Sequence, residues 1–377
     1  KLEIKLFVAK TPRIVLLTSL PKHRFLDHLK RLKLQPPVPF SHPKCLSFAE
    51  HCTGCRKSSS AMSFVGPTLN VVSLDLLTDK ATEELHLGYE PLAFRWWSRT
   101  RLVEFSQLQP FRVFDRGQLF FDAKQADEDL AAETSLQKSY MAGEYAAYGR
   151  GVRVSRGLLL FVNRLGQLVV VHPRRLEEAM AEKQELRWAA VKMVDEPIEH
   201  FATNGKSVYL LSLSGEVEKR RYVRRDGLVA VDHRRNDFLS LRNSSSKELF
   251  TTIGSNLRTL LVSSSTKYKQ KDQSLSHTHL YLIRAVRLSI LFKLSLPQDT
   301  DPIHQIRPLI RSNIEIYIAM NVYTKIRLIA VWRSHMVVIQ ELLLPTNTKH
   351  LGSILVGQYN TLLVTHAKGV KLIWLMV

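Results

Sequence analysis

Apolar positions in this chain come in runs and alternations of five to eight residues, separated by turn-forming residues. That period is the signature of short strands rather than of helices. Residues 69–77 make the first clear case and are turned by Thr78, Asp79 and Lys80. Three strands with tight connections follow at 92–97, 102–105 and 111–114. The beat returns at 158–162 with 168–171 across Gly166, and at 198–202, 208–212 and 216–220 across Gly205 and Gly215. Further sets lie at 249–253, 257–262 and 279–283, at 303–309, 314–320, 326–332 and 336–343, and at 351–356, 361–365 and 370–377.

The first strands of these sets begin near residues 92, 198, 249, 303 and 351, an interval of about 50 residues with a double step from 92 to 198. Such spacing suits a propeller blade, in which four antiparallel strands bury their faces only by packing on neighbouring blades. The expected fold is therefore mainly β: a six- or seven-bladed β-propeller over residues 62–377, preceded by a basic N-terminal arm over 1–61. Two β-sandwich domains remain open as the alternative. Helical patterns are few. In 22–34, Phe25, Leu26, Leu29 and Leu32 share one face, while Arg24, Lys30, Arg31 and Lys33 occupy the other. An Ala-, Glu-, Asp- and Gln-rich insertion at 122–140 and a segment at 174–185 also read as helical.

The run Leu92-Ala-Phe-Arg-Trp-Trp-Ser98, then Arg101-Leu-Val-Glu-Phe105 and Phe111-Arg-Val-Phe-Asp115, resembles the first three strands of a WD40-type blade. Asn70-Val-Val-Ser-Leu-Asp-Leu-Leu-Thr78 resembles an outer strand leading into it. The pattern is degenerate: no Trp-Asp pair closes a third strand, no Gly-His pair opens a blade, and Trp332 and Trp374 are followed by Arg333 and Leu375. The resemblance implies a propeller platform and names no particular relative.

Charge sharpens the picture. The 54 Lys and Arg against 34 Asp and Glu leave a net +20, which points to an anionic partner. Residues 1–60 hold twelve cations and three acids, a net +9. Residues 219–235 hold Lys219, Arg220, Arg221, Arg224, Arg225, Arg234 and Arg235 against Asp226 and Asp232, a net +5. The planar guanidinium fork suits phosphate, so both stretches are candidate RNA contacts: Arg24, Lys30, Arg31 and Lys33 in the arm, and the seven cations of 219–235. Strand alternation would set Arg220, Tyr222 and Arg224 on one side and Arg221 and Val223 on the other. The competing reading is a solvated edge protected by charge. Residues 263–274, with Lys267, Lys269 and Lys271, read as a polar hairpin loop.

All three cysteines fall within eleven positions, as His42-x-x-Cys45 and Cys52-x-x-Cys55. Those four residues could hold a structural zinc ion, with His51 as another fourth ligand; ordinary loop cysteines or a Cys-x-x-Cys redox pair are the alternatives. Catalytic signatures are missing. Gly205-Lys206-Ser207 ends like a phosphate loop but has His200 where its leading glycine belongs, and no nucleophile elbow, dinucleotide turn or His-Glu-x-x-His occurs. No apolar run is long enough for a membrane span.

These features predict a non-enzymatic propeller scaffold in a large ribonucleoprotein, with the mitochondrial ribosome or its assembly machinery as the expected setting and the cytoplasm as the alternative. RNA and proteins of the complex are the expected partners, with no small-molecule substrate and no integral membrane character. The alternative function is a scaffold in a membrane-associated coat, tether or respiratory complex, binding acidic lipid or an acidic subunit. The chain starts at Lys1, so a targeting segment would leave no trace in it.

Overall fold

The computed structural model describes residues 13–19, 46–48, 61–65, 70–75, 80–87, 91–98, 100–106, 112–122, 152–162, 166–182, 189–191, 197–234, 237–242, 248–270, 273–296, 302–308, 315–321, 325–332, 334–343, 355–356, 361–366 and 369–376. Their strands form seven antiparallel sheets that succeed one another along the chain.

The first sheet holds β2 (Leu46–Phe48), β3 (Ala61–Val65), β4 (Asn70–Asp75) and β5 (Lys80–His86). Next come β6 (Pro91–Trp96), β7 (Arg101–Ser106), β8 (Arg112–Asp115) and β9 (Gln118–Asp122), then β10 (Arg153–Ser155), β11 (Leu158–Val162), β12 (Leu168–Val171) and β13 (Ala189–Val191). The fourth sheet has β14 (Ile198–Thr203), β15 (Ser207–Ser212), β16 (Glu216–Arg225) and β17 (Leu228–Val231), with β18 (Asp237–Ser240) paired to the first half of β16. β19 (Leu249–Ser255), β20 (Thr259–Gln270), β21 (Gln273–Arg284) and β22 (Ser289–Ser295) make the fifth, and β23 (Ile303–Pro308), β24 (Glu315–Asn321), β25 (Lys325–Trp332) and β26 (His335–Leu343) the sixth. The last joins β27 (Leu355–Val356), β28 (Thr361–His366) and β29 (Gly369–Met376) to β1 (Arg13–Ser19).

The pairing of β1 with β29 brings an early and a late segment of the chain into one sheet, where β1 covers the edge that β29 would otherwise expose. Residues 13–19 and 46–48, read from the sequence as part of a separate basic arm, thus supply strands to the last and first sheets. The sheet β10–β13 fills the double step between residues 92 and 198. The helical reading of 174–185 corresponds to α1 (Pro173–Glu182), which joins β12 to β13. Proline at its first position has no amide hydrogen to leave unpaired, and His172 Nδ1 accepts from the Arg174 amide at 3.1 Å. The reading of 263–274 as a loop is corrected: residues up to Gln270 continue β20, which pairs with β21 through Gln270↔Gln273. Ser263, Ser264, Ser265 and Thr278 are buried within that hairpin, so a polar run here is sheet interior. The insertion at 122–140 lies beyond the described residues except for Asp122 in β9.

The core lies between sheets. Val103, Phe105 and Val113 pack against Leu159, Phe161 and Val169, with Phe105 and Phe161 edge to face at 5.2 Å between centroids. Leu158, Leu160, Val208 and Leu210 make the next layer, and Leu211, Phe250, Leu260 and Val262 the one after. Middle strands such as β11 and β15 are covered on both faces, which explains their unbroken apolar runs where a half-exposed strand would alternate. Neighbouring sheets also touch through their first strands: β2 with β6, β14 with β19, β19 with β23.

An antiparallel meander fixes which connections share an end. Turns from first to second and from third to fourth strand lie at one end, here called the first-turn end. Turns from second to third strand, and the links between sheets, lie at the other, the linker end.

Candidate functional site

The basic run expected to contact phosphate begins in β16 and continues through residues 226–235. The first half of β16 lies between β15 and β18; its second half, Tyr222 to Arg225, pairs only with β17. The strand is long enough to leave its sheet as a two-strand ribbon at the first-turn end. Asp226 and Gly227 close that ribbon with φ of 51° and 75°, the left-handed pair a type I′ turn requires.

This division sorts the cations. Lys219 and Arg220 sit where neighbouring sheets cover both faces, and they are buried. Lys219 Nζ pairs with Asp237 Oδ2 at 3.0 Å and donates to the Val286 carbonyl at 2.5 Å. Arg220 pairs with Glu218, two residues earlier on the same face and fully buried. The expectation that these two meet phosphate is corrected on this ground: their charged ends serve the interior. Arg221, Arg224 and Arg225 are exposed, Arg225 lying 3.5 Å from Asp232. Arg234 is exposed too, its amide capped by Asp232 Oδ1 at 3.1 Å.

Tyr222 anchors the ribbon. Its hydroxyl bonds Thr203 Oγ1 at 2.9 Å, its ring carries the Arg156 guanidinium at 5.4 Å, and burial raises its pKa. The predicted alternation holds in outline: Arg220 and Tyr222 face inward, Arg221 outward. Arg224 follows the inward side yet is exposed, because the ribbon has already passed beyond the sheet.

Arg235, the arm residues Arg24, Lys30, Arg31 and Lys33, and the proposed zinc ligands His42, Cys45, Cys52 and Cys55 lie outside the described residues. No group of three or more potential metal ligands occurs among the described residues. Gly205 and Lys206 form the turn between β14 and β15, with Asn204 Oδ1 accepting from the amides of Lys206 and Ser207 at 3.0 Å each. The asparagine side chain thereby fills the place a bound anion would need.

Isolated cations at turns escaped the sequence reading, which weighed Lys206 only as the end of a phosphate loop. Arg116, Arg156 and Lys206 all lie at the first-turn end and are exposed. Each stands alone in the sequence, so none forms a charge run; an Arg-Gly pair between two strands was the available signal for Arg116 and Arg156.

No family model and no curated protein matches this sequence. Solved structures do. A chain from the S. cerevisiae complex of dbp5 l327v bound to nup159, gle1 h337r, ip6 and adp aligns over 92% of this chain and 92% of its own, at 9% identity and a TM-score of 0.54. The N-terminal domain of Nup159 aligns over 90% and 91%, at 10% identity and a TM-score of 0.51. The fold is a β-propeller. BBS1N, solved in complex with ARL6DN, is similar over 84% of this chain and 87% of its own, at 11% identity and a TM-score of 0.50. At such identities the likeness shows architecture alone. Among the described residues no helix is long and apolar enough to cross a membrane.

Proposed function

We propose that this chain is a non-enzymatic propeller scaffold in a large ribonucleoprotein assembly, touching RNA phosphates through the β16–β17 ribbon and neighbouring proteins through the ends of the propeller. The observation that carries the reading is the ribbon itself. It projects past its sheet, its turn is fixed by Asp226-Gly227, and it presents Arg221, Arg224 and Arg225 to solvent. Guanidinium groups on a rigid two-strand ribbon can follow a phosphate backbone without reading bases. Protein partners are supported by the similar structures solved in complexes, the nup159 and BBS1N ones among them.

Ultraviolet crosslinking of the folded protein to a uridine-rich single-stranded RNA, with peptide mapping, tests this reading. Crosslinks are expected in residues 221–234. Crosslinks confined to other segments, or binding to anionic vesicles with none to RNA, would refute the RNA assignment and favour the membrane-associated alternative.

A further inference from the structure

A second surface stands out at the first-turn end of the fifth and sixth sheets. Leu257, in the β19–β20 turn, is 59% exposed; Val286, in the β21–β22 turn, 62%; and Trp332, at the end of β25, 64%. Three large apolar side chains at neighbouring turns are unusual on a surface that touches nothing.

Their closeness follows from the bonds between the turns. The Ala285 amide donates to the Arg258 carbonyl at 2.8 Å, which fastens the Val286 turn to the Leu257 turn. The Tyr317 hydroxyl donates to the Thr259 carbonyl at 2.8 Å, which fastens the sixth sheet to the start of β20. Trp332 pairs with His335, and the His335 ring packs against Phe292 of β22 at 5.1 Å between centroids.

The exposed charges of these turns are cationic, and Asp237 near the Val286 carbonyl is paired with Lys219. Arg258, Arg284 and Arg287 are exposed in the same turns. The described residues of the two sheets contain three carboxylates, Glu248, Glu315 and Glu341. Glu248 precedes β19 and Glu341 lies late in β26, so both belong to the linker end. Glu315 lies at the first-turn end, where it accepts a hydrogen bond from Thr259 Oγ1 at 2.7 Å.

We infer that this surface binds an acidic peptide segment of a partner protein, one carrying large apolar side chains among its carboxylates. Tryptophan and arginine are the residue types that dominate binding energy at protein interfaces, and an apolar centre ringed by one charge selects a partner of opposite charge. A phosphate backbone would satisfy the arginines but leave Leu257 and Val286 uncovered. The inference does not rest on the RNA reading, since none of Arg221, Arg224 and Arg225 belongs to this surface.

Fluorescence anisotropy with a labelled fifteen-residue peptide alternating Glu or Asp with Leu and Phe tests it, against polyglutamate of equal length and a single-stranded RNA. Micromolar binding of the mixed peptide is expected, at least tenfold tighter than polyglutamate. Trp332→Ala and the pair Arg258→Glu with Arg287→Glu should each weaken it at least tenfold with an unchanged circular dichroism spectrum. Arg221, Arg224 and Arg225→Ala together should leave it unaltered. Equal binding of both peptides, no binding, or unchanged binding by the variants would overturn the inference. So would RNA as the ligand whose affinity Trp332→Ala removes, or a dimer in light scattering that Trp332→Ala dissociates.

Discussion

The indole nitrogen of Trp97 donates to the carbonyl oxygen of Gly157 at 2.8 Å, joining the first turn of one sheet to the first turn of the next. The motif repeats. Arg156 Nε donates to the Gly205 carbonyl, and Asn204 Nδ2 donates to the Asn256 carbonyl at 3.1 Å. In each case a side chain satisfies a main-chain acceptor exposed by the following sheet's first turn. These bonds hold successive sheets in register at the end that bears the exposed arginines, where apolar packing between sheets gives out.

Trp97→Phe removes the donor together with part of the buried indole. A cost of about 1–2 kcal/mol in folding free energy is expected, read as a lower urea midpoint with an unchanged slope. Asn204→Ala, which also loses its bonds to the Lys206 and Ser207 amides, should cost at least as much.

The two buried cations of β16 should behave as structural groups. Arg220→Ala leaves the fully buried Glu218 carboxylate without its ion-pair partner, a loss of about 3–5 kcal/mol. Arg221→Ala, one residue on and exposed, should change stability by less than about 0.5 kcal/mol. Thermal denaturation of the two single variants makes the comparison.

Gly215 turns β15 into β16 with φ of 91°, and a Cβ there would run into the ring of Phe250, itself fully buried in the next sheet. Gly215→Ala combines left-handed strain with that collision. It should cost about 2–4 kcal/mol, and Phe250→Leu in the same background should recover part of it.

Glu104 and Arg112 form a buried ion pair, with Arg112 Nε 2.7 Å from Glu104 Oε2. Burial pushes the Glu104 carboxyl up to about 7, against the pull of the Arg112 guanidinium. A carboxyl whose folded pKa exceeds its unfolded value near 4.5 favours the fold most when protonated. Its contribution is complete below about 4.5 and is lost as pH rises through about 7. Relative to Glu104→Gln, which cannot ionise, the parent protein should lose about 1–3 kcal/mol of stability between pH 5 and pH 8, measured by urea unfolding across that range.

Much of the fold was legible because middle strands covered on both faces are largely apolar, so β11, β15 and β24 announce themselves. The sheet β10–β13 was harder to see, since β10 and β13 are three residues each and α1 separates β13 from β12. Ser263, Ser264 and Ser265 misled because a polar run reads as surface, whereas these three lie in the interior of a paired strand. The site was less readable. A run of cations says nothing of which members meet a carboxylate, and Lys219 finds Asp237 only through the pairing of β16 with β18. The partner of Trp97 is a main-chain carbonyl 60 residues away, which no side-chain pattern marks.

The central claim is that exposed arginines of the β16–β17 ribbon bind RNA phosphate. Its most direct test is the anisotropy of a labelled single-stranded RNA titrated with the protein at several salt concentrations between about 50 and 200 mM. The account predicts an affinity that falls steeply with salt, and a log–log slope reduced by about two to three when Arg221, Arg224 and Arg225 are all replaced by alanine. No binding at the lowest salt, or a triple variant with the parent's affinity and slope, would contradict it.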